Sequence, residues 1–164
     1  MSATATKANV ERELVEAWQA LASTVDSFSD ATMEQPGVLE GWSIKDLLGH
    51  IAFWAQRAAE NLQLAAAGKA DEIRFPANLA AVDEWNERER RLRQDRPLPD
   101  VREEWLESFQ RAMQALADFP AEKLEQKTKG QTVLRWFAID TYEHYREHLT
   151  QLFAWRREVE TTEA

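Results

Sequence analysis

The sequence predicts an all-α fold, a four-helix bundle with a short accessory helix between its second and third main helices. Three observations carry this reading. Apolar residues recur at steps of three and four along four long stretches. Strand-like alternation is nearly absent. Start and stop signals bracket the stretches. At 164 residues, 44 % apolar and 30 % charged, the chain suits one globular domain that buries its own core.

Each element has its own grounds. Val10, Leu14, Trp18, Leu21, Val25 and Phe28 form one stripe, and Pro36-Gly37 lies beyond the end of that first helix. Residues 34–42 read as a loop. Ser43 stands three residues before Asp46, a capping-box spacing with Asp in the acidic role. It opens a second helix over about residues 44–67, striped by Leu47, Ile51, Trp54, Ala58 and Leu62 and stopped by Gly68. Residues 71–78 are a loop around Pro76. Residues 79–93 are helix-prone but polar, with Val82, Trp85 and Leu92 as apolar points against the bundle. Pro97-Leu98-Pro99 breaks the chain. Asp100 with Glu103 is expected to cap the third main helix, which carries Val101, Trp105, Phe109, Met113 and Leu116 and ends at Pro120. A polar connection over residues 121–130 closes on Gly130. The fourth helix spans about residues 132–157, with Leu134, Phe137, Tyr145, Leu149, Leu152 and Phe153 inward. One domain is expected over residues 8–157, with flexible ends at 1–7 and 158–164. The connection over residues 68–99 is long enough for a crossover, so simple up-down order is not assured.

Composition excludes several classes of function. Without cysteine there is no disulfide framework, thiol nucleophile, Cys-ligated zinc or iron–sulfur cluster. Twenty Lys and Arg against 29 Asp and Glu leave a net charge of −9, which repels phosphate backbones and argues against nucleic acid as a partner. No apolar leader opens the chain and no apolar run approaches a membrane span. A cytoplasmic protein that acts on a small molecule, with no membrane partner, is the expectation. Seven tryptophans suggest pocket walls as well as core filling, with Trp54 and Trp136 the candidates beside the histidines.

The chemistry lies in the three histidines. His144 and His148 are four apart on the fourth helix, so their directions differ by roughly 40° and both leave one face. That is how one helix offers two imidazoles to one metal. His50 sits at the edge of the second helix's apolar stripe, and facing helices of a bundle can close a three-His site. Three neutral imidazoles leave a coordination position for water or substrate. Asp140, Glu143 and Glu147 are close enough in sequence to orient a ring N–H. Ordinary core histidines are the bland alternative. His144-Tyr145-Arg146-Glu147-His148 also spells an inverted zinc-protease motif, but only 16 residues follow and that motif needs a larger scaffold.

Residues Gly41-Trp42-Ser43-Ile44-Lys45-Asp46-Leu47-Leu48-Gly49-His50-Ile51 resemble the second-helix signature of the DinB/YfiT-like superfamily. His144-x-x-x-His148-x-x-Gln151-Leu152 resembles its fourth-helix signature, and the likeness runs from about residue 8 to 156. The resemblance implies a four-helix bundle, often a homodimer. It implies a divalent metal (zinc, nickel, iron or manganese) on a triad that maps to His50, His144 and His148. It implies chemistry of the thiol S-transferase or mycothiol-dependent maleylpyruvate isomerase kind, with a low-molecular-weight thiol as cofactor, or hydrolysis of a small reactive molecule. Thr150 departs from the pattern, standing where many metal-binding members have Gly. A second likeness lies in Phe75-Pro76, Asp83-Glu84-Trp85-Asn86-Glu87, Arg96-Pro97-Leu98 and Thr141-Tyr142-Glu143-His144-Tyr145, which resemble the colibactin self-resistance (ClbS/DfsB) branch. That branch implies metal-independent detoxification. A third reading is a non-catalytic dimeric bundle. Arg88, Arg90, Arg91, Arg93 and Arg96 read as a solvated face paired Glu84–Arg88, Glu87–Arg91 and Glu89–Arg93 in preference to an anion site. Gly49, costly inside a helix by about 1 kcal/mol, leaves room for a neighbour to approach.

Overall fold

Local capping groups set where the helices begin. The computed structural model describes residues 3–163, with side chains over 6–161. Its helices are α1 (Ala3–Asp26), α2 (Asp30–Met33), α3 (Ile44–Ala66), α4 (Leu79–Arg93), α5 (Leu98–Asp118), α6 (Val133–Ala138) and α7 (His144–Glu163). Ser43 and Asp46 form the expected capping box at α3. Asn78 caps α4 and Thr132 caps α6 through their side chains. α5 starts earlier than expected. Pro97 is its N-cap residue and makes no side-chain cap, so the Pro-Leu-Pro run opens the helix and Asp100 falls inside its first turn. Proline lacks the N–H that the first turn cannot pair anyway.

Three features lie outside the sequence reading. The connection between α1 and α3 holds the single turn α2 ahead of the expected loop, capped by Ser29. The polar connection holds a two-stranded hairpin, β1 (Lys127–Thr128) and β2 (Gln131–Thr132), with Lys127 opposite Thr132. Its turn residues Lys129 and Gly130 both take positive φ, as does the Glu40–Gly41 pair between the bridged Leu39 and Trp42. Two-residue turns of this kind match the twist of the strands they join. The expected fourth helix is α6 and α7 joined by a π-helical turn, Ile139–Glu143. Helical backbone also continues into residues 3–7 and 158–163, beyond the expected domain limits. Residues 1, 2 and 164 of those two ends lie outside the described residues.

Side-chain anchors fix the directions of the helices. Lys7 near the start of α1 bonds the carbonyl of Ala117 at the end of α5, while Asp26 pairs with Arg102 at the start of α5. These two helices are antiparallel. Arg93, just before α5, lies on Gly49 at the start of α3, and Lys123, just after α5, bonds the carbonyl of Ala66 at the end of α3. So α3 and α5 run parallel, with α4 as the crossover. Glu13 pairs with Arg146, and further along the carbonyl of Thr24 accepts from Arg156, so α1 and α7 are also parallel. The bundle is up-down-down-up, one of the arrangements the long connection permits.

The core is the shared inner stripe. Leu14, Leu21, Leu47, Ile51, Val101, Phe137, Tyr145 and Leu152 are buried in it. Trp18 stacks on Phe109 at 4.4 Å and leans on Trp105 at 4.3 Å. Two expected inward residues face outward: Phe153 is 46 % exposed and Leu92 66 %. On α4 the buried residue is Arg93, which pairs with Glu89 and Glu104. No helix among the described residues is long and apolar enough to cross a membrane.

Candidate metal centre and its cleft

The capped start of α3 puts His50 two turns into that helix, with its ring against His144 of α7. From α7, His144 and His148 project on successive turns. His144 Nε2 lies 2.9 Å from His50 Nε2 and 2.7 Å from His148 Nε2. One nitrogen from each ring falls within 4.8 Å of the others. His148 is buried and the other two are half-buried.

The tautomer of His148 follows from its neighbour. Its Nδ1–H donates to Gln151 Oε1 at 2.6 Å, and a carbonyl oxygen only accepts. Its Nε2 therefore turns a lone pair toward the other rings. All three imidazoles are held neutral. Burial, then the charge of His148, lowers His50 to about 3, with Asn86 opposing. Burial and both other histidines take His144 well below its ordinary value. Burial also lowers His148, while Gln151 and Glu147 oppose.

Protons alone do not satisfy this cluster. His144 Nε2 carries either one N–H or one lone pair, yet it has two close nitrogen partners. One hydrogen bond to the lone pair of His148 leaves the contact with His50 unsupported. A cation attracts all three lone pairs at once, so the donor set fits a divalent metal. The expected orienting carboxylates do not touch the rings. Glu143 pairs with Arg135, Glu147 is exposed, and the buried Nδ1 atoms of His50 and His144 have no hydrogen-bond partner among the described residues. The residue that orients a ring is Gln151, legible only as the third named position of the fourth-helix signature.

The histidines border a cleft of about 1470 Å³ between α3, α4, the hairpin and the α6–α7 segment. Trp54 and Trp136 line it, as do Trp42 and Phe75. Each wall is pinned. Trp54 donates to Asn86 Oδ1 at 2.8 Å, Trp136 donates to the carbonyl of Thr128 at 2.9 Å, and Phe75 packs on Trp136 at 4.8 Å. Trp42 presents its face or edge to His50 at 5.4 Å in a near-perpendicular contact. Asn86 and Phe75 are legible in the sequence only through the second likeness, because neither stands out by period or type. The arginines of α4 are largely spent internally. Arg90 and Arg91 hold Glu87, Arg88 holds Glu89, and Arg93 holds Glu89 and Glu104. Two of the three expected pairs form, and Arg88 takes Glu89 in place of Glu84.

Residues 14–161 match the family of the mycothiol maleylpyruvate isomerase N-terminal domain. The chain belongs to that family. It is a helical family of the DinB/YfiT-like superfamily, the group that the two histidine signatures resemble. The matched span takes in all three histidines and every wall of the cleft named above. No curated protein and no solved structure matches the chain.

Proposed function

We propose that this mycothiol maleylpyruvate isomerase N-terminal-type domain holds one divalent metal ion on His50, His144 and His148. We propose further that it acts on a small reactive molecule in the adjoining cleft, by thiol transfer, isomerisation or hydrolysis. The observation that carries this is the convergence of three neutral imidazole Nε2 atoms at the cleft wall, with Gln151 fixing the tautomer of one. Zinc, nickel, iron or manganese suits such a set. When bound, the ion would supply Lewis acidity and lower the pKa of a thiol or water. The protein's own part is to exclude water with Trp42, Trp54 and Trp136, to keep the rings unprotonated by burial, and to hold His148 in one tautomer.

The deciding measurement is elemental analysis of untagged protein, as isolated and after chelation, beside two variants. Near-stoichiometric metal in the wild type and in Glu103→Ala, lost in His148→Ala, is the expected result; Glu103 is exposed and remote from the histidines in sequence. Equal metal in both variants would overturn the site. Metal absent from all three, even after reloading, would favour the metal-independent detoxification that the second likeness implies.

A further inference from the structure

The cleft extends beyond the histidines, and its far part has a different character. Asp140 lies on the π-helical turn, four residues before His144. It lines the cleft with Trp54, Trp136 and Phe75. It is half-buried and makes no hydrogen bond or ion pair among the described residues. A half-buried carboxylate without a protein partner on a cleft wall is open to a ligand's donor.

Arg57, the cation whose charge acts on Asp140, does not fill that role. Arg57 is outside the lining of the cleft. Its guanidinium donates to the carbonyl of Arg74 and lies over the ring of Trp85 at 4.5 Å. Burial outweighs its attraction and raises the Asp140 carboxyl to about 7, so at pH 8 it is mostly the carboxylate. The other charges on the cleft wall are mostly of one sign. Glu40, Asp83 and Glu147 are exposed there, against the single ammonium of Lys129. Glu87 is already held by Arg90 and Arg91. An anionic dicarboxylate would meet repulsion here. An ammonium would meet a carboxylate and aromatic faces, both of which attract it.

We propose that the substrate or co-substrate of this site carries an ammonium group on an apolar or aromatic body. The ammonium binds Asp140 between Trp54 and Trp136, and the body reaches toward the histidines. The proposal deepens the functional reading above by naming the charge class of the molecule. It stands apart from the metal in its test, since it concerns Asp140 and can be read without metal.

The probes are phenethylamine and 3-phenylpropionate, nearly equal in shape and opposite in charge. Each is titrated calorimetrically into untagged protein at pH 8, as isolated and after chelation, with metal content measured in parallel. In the chelated wild type, phenethylamine should bind at least tenfold tighter than 3-phenylpropionate. Asp140→Asn should remove most of that preference while its metal content stays at the wild-type level, and Asp140→Glu should keep part of it. Equal or reversed affinities in the chelated wild type would overturn the proposal, and this arm depends on no variant folding. An unchanged preference in folded Asp140→Asn would also overturn it. Loss of the amine preference alone leaves the metal result standing, and absent metal leaves the amine result readable.

Discussion

At the scale of single residues, Gln151 and Asp140 do the most that the histidines cannot do themselves. Gln151 accepts the Nδ1–H of His148 and so aims its other nitrogen. Replacing it with Leu removes the acceptor and leaves that N–H buried, while the three histidines stay. Loss of such a supporting bond lowers metal affinity by about 10–100-fold. Competition against a chelating dye should show a loss of that size for Gln151→Leu, and an unchanged affinity would mean that packing alone orients His148. Asp140 makes a separate contribution through stability. Its carboxyl is raised to about 7 by burial, so the folded chain binds a proton that the unfolded chain, near 3.8, has released. Stability from this group is therefore greatest at low pH and declines as pH rises from about 4 to about 7. In chelated protein, Asp140→Asn should raise the melting temperature over wild type at pH 8, and do so less at pH 5. Equal shifts at both values would show that the carboxyl is not buried as described.

Elements are held to one another by contacts of unequal legibility. The long amphipathic helices could be read because their stripes face a common core. α4 could be read as a helix lying against the bundle, but not by the side chain that docks it, because its one buried residue is an arginine. Arg93 crosses Gly49 so closely that an added Cβ would stand 2.6 Å from its Cδ. Two carboxylates, Glu89 and Glu104, fix the guanidinium and limit its retreat. Ala at position 49 would gain about 1 kcal/mol of helix propensity, but the overpacking costs typically 1–3 kcal/mol. Gly49→Ala should therefore lower the melting temperature by a few degrees, at about 2–4 °C per kcal/mol for a chain of this size. The same change made in an Arg93→Met background should cost less or become stabilising. Equal effects in both backgrounds would place the strain elsewhere. The π-helical turn was illegible for a different reason. No Pro or Gly interrupts Ile139–Glu143, and the period of apolar residues passes through it. Within it the buried Thr141 hydroxyl donates to the carbonyl of Phe137 at 2.6 Å, a local side-chain bond that competes with the regular ladder. Such turns gather at functional sites, and this one sets the step between Asp140 and His144.

For the whole molecule, the up-down-down-up order explains why residues so distant in sequence share one wall. Running α3 and α7 antiparallel sets His50 opposite His144 and His148, and the crossover lays α4 over the cleft, where Asn86 meets Trp54. The sequence contained the histidines and the four stripes, but not the helix directions, which rest on anchors such as Lys7, Arg102 and Lys123. Packing three imidazoles at this junction has a cost that depends on pH. Each has a folded pKa below its ordinary value of 6.5, with His50 at about 3. The folded chain thus binds fewer protons than the unfolded one in acid. Stability from these groups is complete above about pH 6.5 and is lost as pH falls below it. Three histidines outnumber Asp140, whose effect runs the other way, so chelated protein should melt at a lower temperature at pH 5 than at pH 7.5. A metal ion bound to neutral rings competes with the same protons. Zinc in excess should therefore raise the melting temperature most at pH 7.5, by an amount that grows with the ratio of free zinc to its Kd, and much less at pH 5. His148→Ala should remove most of that difference. A zinc effect as large at pH 5 as at pH 7.5 would mean that the ion binds carboxylates on the acidic surface, leaving the histidine cluster to protons.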